Sequence, residues 1–568
     1  MNQSVLQDIQ GLICPIFVIV MGMVVLLLDL GTGHAPARRR LIYLVSIGGV
    51  VAAALLAMAN ATVPNAMPGV APVTYFGGGM VADQMGGLFC VVLCIVAGLA
   101  ITMSDRYLHE KGLNSGEYYA LLLFSTSGAM MMALAYDLVN VFVGLEILSV
   151  SLYILCGFSR RDRRSEESAV KYFLLGSFAS GFLLYGMALI YGTVGIALKT
   201  NNLQQTAGVS FTNLGVIGST LRETVGTGSP LLSSPLFIAG IALLIVGLGF
   251  KAAIVPFHSY APDVYEGAPT PVTAFMSAAA KIGAFAALIR VFAVLLPMNG
   301  TTLATAAVPF QSVLWGLAAA TIIVGNIMAI RQTNIKRMLA YSSIAHAGYI
   351  LVGILASSTP GAASSARDAV IYYLFTYTFM NLGAFALIIW LGRNGGEYTS
   401  IADYAGLAKQ QPLAAAAMAV FMLSLAGIPP AAGFLAKLYI FTSAIQAGFT
   451  TLAVLALVVS VIGVFYYLNI IVAMYFREPI SDFTVVRGGG AKVAALICAA
   501  ATLLFGFIPA GIFAPALQRE QPNALPTMGM TAPAPAIKGK KAFRTGNIVR
   551  VSQSDGDKPL KTAVPSSR

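Results

Sequence analysis

The chain has 568 residues, 58% of them hydrophobic and only 10% charged, and a mean hydropathy of +0.81. A soluble globular domain carries about 25% charged residues, so this composition excludes a water-soluble protein and points to an all-α polytopic membrane protein. The formal charge of +12 would suit nucleic acid, but the basic residues flank apolar runs, where membrane topology accounts for them.

The opening segment MNQSVLQDIQ lacks the positive region of a cleavable signal peptide. The apolar run after it is long enough, at ~20 residues, to span a bilayer and to be retained as the first helix. Runs of spanning length follow at roughly 41–59, 80–103, 118–135, 138–158, 167–192, 235–255, 271–296, 308–330, 336–356, 368–392, 412–446, 450–476 and 491–514. With the first at 10–30, the expected number is about fourteen transmembrane helices. Two are irregular: Pro256 follows the seventh, and Pro429 and Pro430 interrupt the twelfth. Proline removes a ladder hydrogen bond, and a broken backbone at membrane depth needs protein or a wet cavity to satisfy it.

The Gly-rich stretches GTGHAP and FGGGMVADQMGG match neither a dinucleotide fingerprint nor a P-loop. The five cysteines (Cys14, Cys90, Cys94, Cys156 and Cys498) lie in apolar runs without CxxC or ferredoxin-like spacing, and read as small core residues. No cofactor-binding or metal site is expected in the chain.

Loop charge sets the expected orientation. Arg38–Arg40, Arg106, Lys111, Arg160, Arg161, Arg163, Arg164, Arg331, Lys336, Arg337, Arg393, Lys409, Arg477, Arg487 and Lys492 fall in one set of loops, against Lys199, Arg222 and Arg367 in the other. The positive-inside rule places the first set in the cytoplasm. An even helix number then puts both termini outside a cell inner membrane. The tail after ~515 is rich in Pro, Ala, Thr and Ser and reads as disordered.

SEESAVKYFLL at 165–175 resembles SARDAVIYYLF at 365–375, and SLYILCG at 151–157 resembles AGYILVG at 347–353. These echoes suggest two related five-helix units, which must lie in opposite orientations because five is odd. The expected organisation is 1–117 with helices 1–3, 118–296 as the first inverted repeat (helices 4–8), 308–477 as the second (helices 9–13), 488–514 as helix 14, and a basic tail over 515–568. The broken seventh and twelfth helices are each the fourth of their unit.

Ionisable residues deep inside the runs are few: Glu146, Lys251, Lys281, His346 and Lys437, with His258, Asp263 and Glu266 at the break after the seventh helix. A buried charge costs roughly 2.5–3.5 kcal/mol on insertion scales, so five are functional candidates. Each alone has a structural explanation, as an ion pair or a hydrogen-bonded histidine. Together, a carboxylate, lysines able to exchange protons once desolvated, and a histidine can form a proton relay.

Residues 141–186 and 250–290, with IKRMLAYSSIAHAGYILVG at 335–353 and FMLSLAGIPPAAGFLAKLYIF at 421–441, resemble the N subunit family of bacterial NADH:quinone oxidoreductase, respiratory complex I. The resemblance covers about residues 10–510 and does not reach the basic tail. Gly144 and Leu145 precede Glu146, where the related L, M and Mrp-type subunits typically carry tryptophan. The resemblance implies a proton-translocating subunit in which Glu146 is the charge partner of Lys251, Lys281 and His346 connect, and Lys437 lies near the exit. It implies partner membrane subunits and a peripheral arm that carry NADH, FMN, iron–sulfur clusters and quinone. An Mrp-like cation/proton antiporter subunit is the alternative, and a scaffold without transport a third reading.

Overall fold

The structure is a computed structural model that describes residues 11–508, apart from gaps at 32–35, 63–73, 114, 202, 204–207, 225–230, 296–300, 360, 393–396 and 480–488. The basic tail lies outside the described residues. The membrane-length helices are α1 (Ile13–Gly31), α2 (Pro36–Thr62), α3 (Gln84–Glu110), α4 (Gly116–Leu134), α5 (Leu138–Cys156), α6 (Arg163–Thr200), α7 (Pro235–Ala252), α8 (Thr270–Leu295), α9 (Thr301–Ile330), α10 (Ile335–Ala356), α11 (Ala363–Trp390), α13 (Thr450–Phe476) and α14 (Gly489–Phe507). Between the last three falls the twelfth expected span, as two half-helices, α12a (Pro412–Ala426) and α12b (Ala432–Gln446). Each of the fourteen expected runs is therefore helical. Twelve of these helices are individually long and apolar enough to cross a membrane.

Short polar side chains start many of them. Asp83, Ser115, Asp137, Asp162 and Asn334 accept hydrogen bonds from the first-turn amides of α3, α4, α5, α6 and α10, satisfying donors that have no partner within the helix. The cap at Asp162 explains a difference from expectation. α6 begins at Arg163 and runs 38 residues, about 57 Å, because charged residues that end an apolar window are still good helix formers.

α8, α10 and α11 lie in the interior, with 89%, 100% and 100% of their most apolar windows buried. Lys281, Arg290, Lys336, His346 and Asn381 sit on these three, where protein rather than lipid can partner them. α8 is held at its far end by Arg290, which donates to both Asp83 carboxylate oxygens at 2.7 Å and to the Ala133 carbonyl at 2.8 Å.

The two expected breaks are built alike. At the end of α7, Ala253 is left-handed (φ 58°), and Ile254 N–H donates back to the Gly249 carbonyl at 2.9 Å. At the end of α12a, Gly427 is left-handed (φ 85°), and Ile428 N–H donates to the Leu423 carbonyl at 2.9 Å. This is the helix-ending motif that satisfies final carbonyls. In both breaks the order is left-handed residue, isoleucine, one residue, proline. The backbone freed at the first break is partnered from a neighbour, since Val255 N–H donates to Thr321 Oγ1 of α9 at 3.1 Å.

A β-hairpin was not expected. Thr74–Tyr75 pairs antiparallel with Met80–Val81, and the FGGG stretch between them turns through left-handed Phe76, Gly77 and Gly78. The glycines serve this turn.

Gly433 packs α12b against α12a: a Cβ there would lie 1.9 Å from the Ser424 carbonyl oxygen, and its N–H donates to Ser424 Oγ at 3.0 Å. Gly433→Ala should therefore force the half-helices apart and destabilise the protein by about 1–3 kcal/mol, read as a lowered thermal unfolding midpoint in detergent. Gly316→Ala, with open space around it, is the matched control and should leave the midpoint unchanged.

Candidate functional site

Lys251 lies in the last turn of α7 and is 3% exposed. Its ammonium donates to Ser149 Oγ of α5 at 2.8 Å and to Tyr172 OH of α6 at 3.0 Å. It also sits 5.0 Å from the centre of the Tyr172 ring, a favourable position over an aromatic face. Glu146 is one turn from Ser149 on α5, but it is only half-buried, and it accepts a hydrogen bond from Ser180 of α6. No ion pair within 4.0 Å joins Glu146 to Lys251 among the described residues. The expected pairing of the two charges is therefore not a direct contact. Lys251 reaches inward between three helices, whereas Glu146 lies at the rim beside the outward-facing Val143 and Val150.

Lys281 is 2% exposed at the middle of α8. Its ammonium donates to the carbonyl of Ser343 on α10 and lies 5.8 Å from the Tyr377 ring centre. Tyr377 OH donates to Ser343 Oγ at 2.9 Å. His346, one turn further along α10, has Nδ1 at 2.6 Å from Tyr373 OH and Nε2 at 3.2 Å from Tyr467 OH. Tyr467 OH is 2.5 Å from Ser342 Oγ. Both ring nitrogens are thus engaged with hydroxyls that can donate or accept.

Lys437 lies in α12b and is 7% exposed. Its three N–H groups are fully used: Leu425 carbonyl at 3.0 Å, Ala426 carbonyl at 2.9 Å and Ser460 Oγ at 2.9 Å. The two carbonyls end α12a, so the break supplies a site of negative partial charge for the cation. Gly427 makes room, since a Cβ there would press on the Lys437 side chain at 2.9 Å. The Tyr349 ring lies under the ammonium at 5.2 Å. Tyr349 OH accepts from Asn326 at 3.0 Å, and Asn326 in turn accepts from Tyr466 OH at 3.2 Å.

Asp263 and Glu266, on the short helix Ala261–Gly267, do not join Lys251. They form an ion-pair network with Lys171, Arg337 and Arg164 at the face that carries the Arg160–Arg164 loop, around a polar cleft. His258 lies in the turn between, with Nδ1 buried and without a partner among the described residues. The same face holds a second cluster, in which Glu397 accepts from Thr270 Oγ1 at 2.6 Å and Tyr107 OH at 2.7 Å and lies 3.6 Å from the Lys336 ammonium. Burial pushes the Glu397 carboxyl up, but Lys336 and the two hydroxyl donors outweigh it and hold it below the usual carboxylate range.

A family model for the transmembrane region of NADH:quinone oxidoreductase and Mrp antiporter subunits matches residues 135–463. The chain belongs to this family. NADH-quinone oxidoreductase subunit N of Trichlorobacter lovleyi is 44% identical over 78% of this chain and 84% of that protein. A chain in respiratory complex I from Thermus thermophilus with bound aureothin superposes with a TM-score of 0.68 and 31% identity, over 89% of this chain and 99% of that one. A chain of the Mrp complex from Dietzia sp. DQ12-45-1b reaches a TM-score of 0.70 at 22% identity, over 89% and 98%, and this likeness shows the fold alone. As a family member with these spans, the chain is a multi-pass membrane protein.

All five candidate residues lie inside the bundle or at its rim, and a run of Tyr467, Tyr466, Asn326, Tyr349 and Ser460 joins His346 to Lys437. Ser149, Tyr172, Ser460 and Tyr349, which hold the lysines, escaped the sequence reading because neutral hydroxyls are common in membrane helices. Lys336 and Glu397 escaped because a charge beyond an apolar run reads as a solvated loop charge.

Because the folded Glu397 carboxyl titrates below its unfolded value, its stabilisation is fully present above the ordinary glutamate range and is lost as pH falls from that range through the lower folded titration point. Glu397→Gln should remove this component. The thermal midpoint of the variant should fall less between pH 7 and pH 4 than that of the parent protein, measured by scanning fluorimetry in detergent. Equal falls would mean that Glu397 is not held ionised by the fold.

Proposed function

We propose that the chain is the proton-translocating N-type membrane subunit of an NADH:quinone oxidoreductase. The observation that carries this reading is the set of three buried lysines, each with its ammonium held by named acceptors at membrane depth. Relatedness to subunit N proteins at 44% identity supports the assembly. Electron transfer from NADH through FMN and iron–sulfur clusters to quinone belongs to partner subunits in the peripheral arm and adjoining membrane region. This chain converts their energy into proton movement.

The residues act as follows. A lysine in its charged form donates three hydrogen bonds, as Lys437 does. On losing its proton it keeps two N–H groups and gains a lone pair, so Ser460 can turn from acceptor to donor. The same reversal is open to Ser149 beside Lys251. His346, between Tyr373 and Tyr467, can take a proton at one nitrogen while releasing it at the other. Glu146, at the rim, acts on Lys251 through space across Ser149 and Ser180, biasing the lysine toward its charged form. The two units 118–296 and 308–477 serve as inverted repeats in this reading, a view supported by their identically ordered breaks. The face of the Arg160–Arg164 loop is cytoplasmic, and both termini lie outside.

The Mrp-like alternative rests on the shared family model and on fold likeness. It predicts cation/proton exchange without any redox partner.

In vesicles containing the assembled complex, Lys251→Ala should abolish proton uptake during quinone reduction, with assembly confirmed on native gels. Lys437→Arg should be nearly as severe, because guanidinium does not release its proton. Normal uptake in a fully assembled Lys251→Ala complex would sink the relay. A cysteine at Glu223, exposed on the short helix Leu214–Thr224, should react with an impermeant thiol reagent added to intact cells whose outer membrane is permeabilised. Labelling only after the inner membrane is opened would invert the orientation.

A further inference from the structure

The charge pair of Glu397 and Lys336 has no part in the relay described above, yet it is placed at one end of the helix that carries Lys281. Lys336 is 3% exposed in its side chain and donates to the Ala268 carbonyl at 2.9 Å. The Glu397 side chain is 14% exposed, so one edge meets solution at the face of the Arg160–Arg164 loop while the rest is held in protein. Its donor Thr270 is the first residue of α8.

From Thr270, the polar residues Thr273, Ser277 and Lys281 follow at intervals of three, four and four. That spacing keeps them on one face of the helix, with successive Cβ atoms about 5–6 Å apart. Thr270, Thr273 and Ser277 are fully buried and Lys281 is 2% exposed. The stripe covers about 16 Å of helix.

Hydroxyls that bond the backbone of their own helix are ordinary, and Ser277 does donate to the Ala274 carbonyl at 2.7 Å. Neighbouring elements add what that explanation leaves out. Asn381 of α11 donates to Ser277 Oγ at 2.6 Å. Thr273 Oγ1 donates to the Tyr265 carbonyl at 3.1 Å and lies 3.4 Å from the Ala268 carbonyl that Lys336 also holds. Tyr265 OH lies 3.5 Å from Ser343 Oγ, on the residue whose carbonyl holds Lys281. A row of hydroxyls with a partly exposed carboxylate at one end and a buried amine at the other, lined by polar groups of other helices, is the arrangement a conduit needs.

We propose that Glu397 is the carboxylate that takes protons from solution at the face of the Arg160–Arg164 loop and passes them along Thr270, Thr273 and Ser277 to Lys281. This rests on the relay reading and adds its loading point. The Glu397 carboxylate accepts a proton and becomes a neutral acid beside the Lys336 ammonium, which favours its release inward. Each hydroxyl, or a water bridging to the next, accepts one proton and gives up another. The last step turns a neutral Lys281 amine into an ammonium and leaves Glu397 ionised again. No electron moves, and Lys336 keeps its charge throughout.

The test compares protons taken up per quinone reduced in vesicles containing the assembled complex. Lys281→Ala measures what the relay contributes. Glu397→Gln keeps the size and an acceptor for Tyr107 and Thr270 but cannot carry a proton. Thr273→Val and Ser277→Ala keep the shape of α8 and interrupt the stripe. The expected result is a ratio lowered in Glu397→Gln and in both hydroxyl variants to the level of Lys281→Ala, with Glu397→Asp retaining more than Glu397→Gln. If Lys281→Ala is lowered while assembled Glu397→Gln keeps the parent ratio, the conduit is overturned and the relay stands. If Lys281→Ala itself keeps the parent ratio, the relay reading fails. Should Glu397→Gln not assemble, the hydroxyl variants decide, and parent ratios in both overturn the proposal.

Discussion

An ammonium ion taken out of water must find acceptors for three N–H groups, and a membrane interior offers almost none. Much of this protein's internal architecture answers that requirement. Carbonyls within an intact helix are already engaged, so the acceptors come from hydroxyls on neighbouring helices, from places where a helix stops, or, for Lys281, from the second lone pair of a carbonyl in mid-helix. Lys437 uses two carbonyls that α12a exposes by ending at Ala426. Lys251 uses Ser149 and Tyr172, and Lys281 uses the Ser343 carbonyl of α10. Each also rests against a tyrosine face. The break between α12a and α12b, the buried serines and the tyrosines are the solvation shell of three lysines, distributed over six helices.

That shell is incomplete for two of the three, and the difference has chemical meaning. Lys437 is saturated by three strong acceptors, so its charged state is the one the local structure fits. Lys251 and Lys281 have two and one hydrogen-bond partners respectively, with ring faces supplementing them. A cation with fewer fixed acceptors is easier to neutralise, and its surroundings need less rearrangement when it gives up a proton. The group nearest the double-proline break is thus the firmest holder of charge in the series.

Much of the fold was legible in the sequence because apolar length and proline position report directly on membrane helices. The fourteen runs, both breaks and the burial of Lys251, Lys281, His346 and Lys437 follow from those two signals. What could not be read depends on contacts between segments far apart in the chain. The rim position of Glu146 is set by which face of α5 meets α6, and α5 is apolar on all sides, so its pattern carries no facing information. The pairing of Lys336 with Glu397 joins the start of α10 to a connection more than sixty residues later, and charge counting assigns both to loops. The FGGG turn looked like a failed nucleotide motif because glycine reports backbone freedom without saying what uses it.

The two helix breaks share their order of residues but differ in one atom. Gly427 occupies the left-handed region freely, whereas Ala253 carries a Cβ there at φ 58°, a conformation that disfavours alanine by about 1–2 kcal/mol. The first break is therefore under tension and the second is slack. Contacts around the end of α7 hold that conformation in place: Val255 N–H on Thr321 Oγ1 and Tyr260 OH on the Phe250 carbonyl. Lys437, beside the unstrained glycine, is fixed instead by the carbonyls it binds. One lysine is seated next to a conformation that its neighbours must enforce, the other next to one that costs nothing.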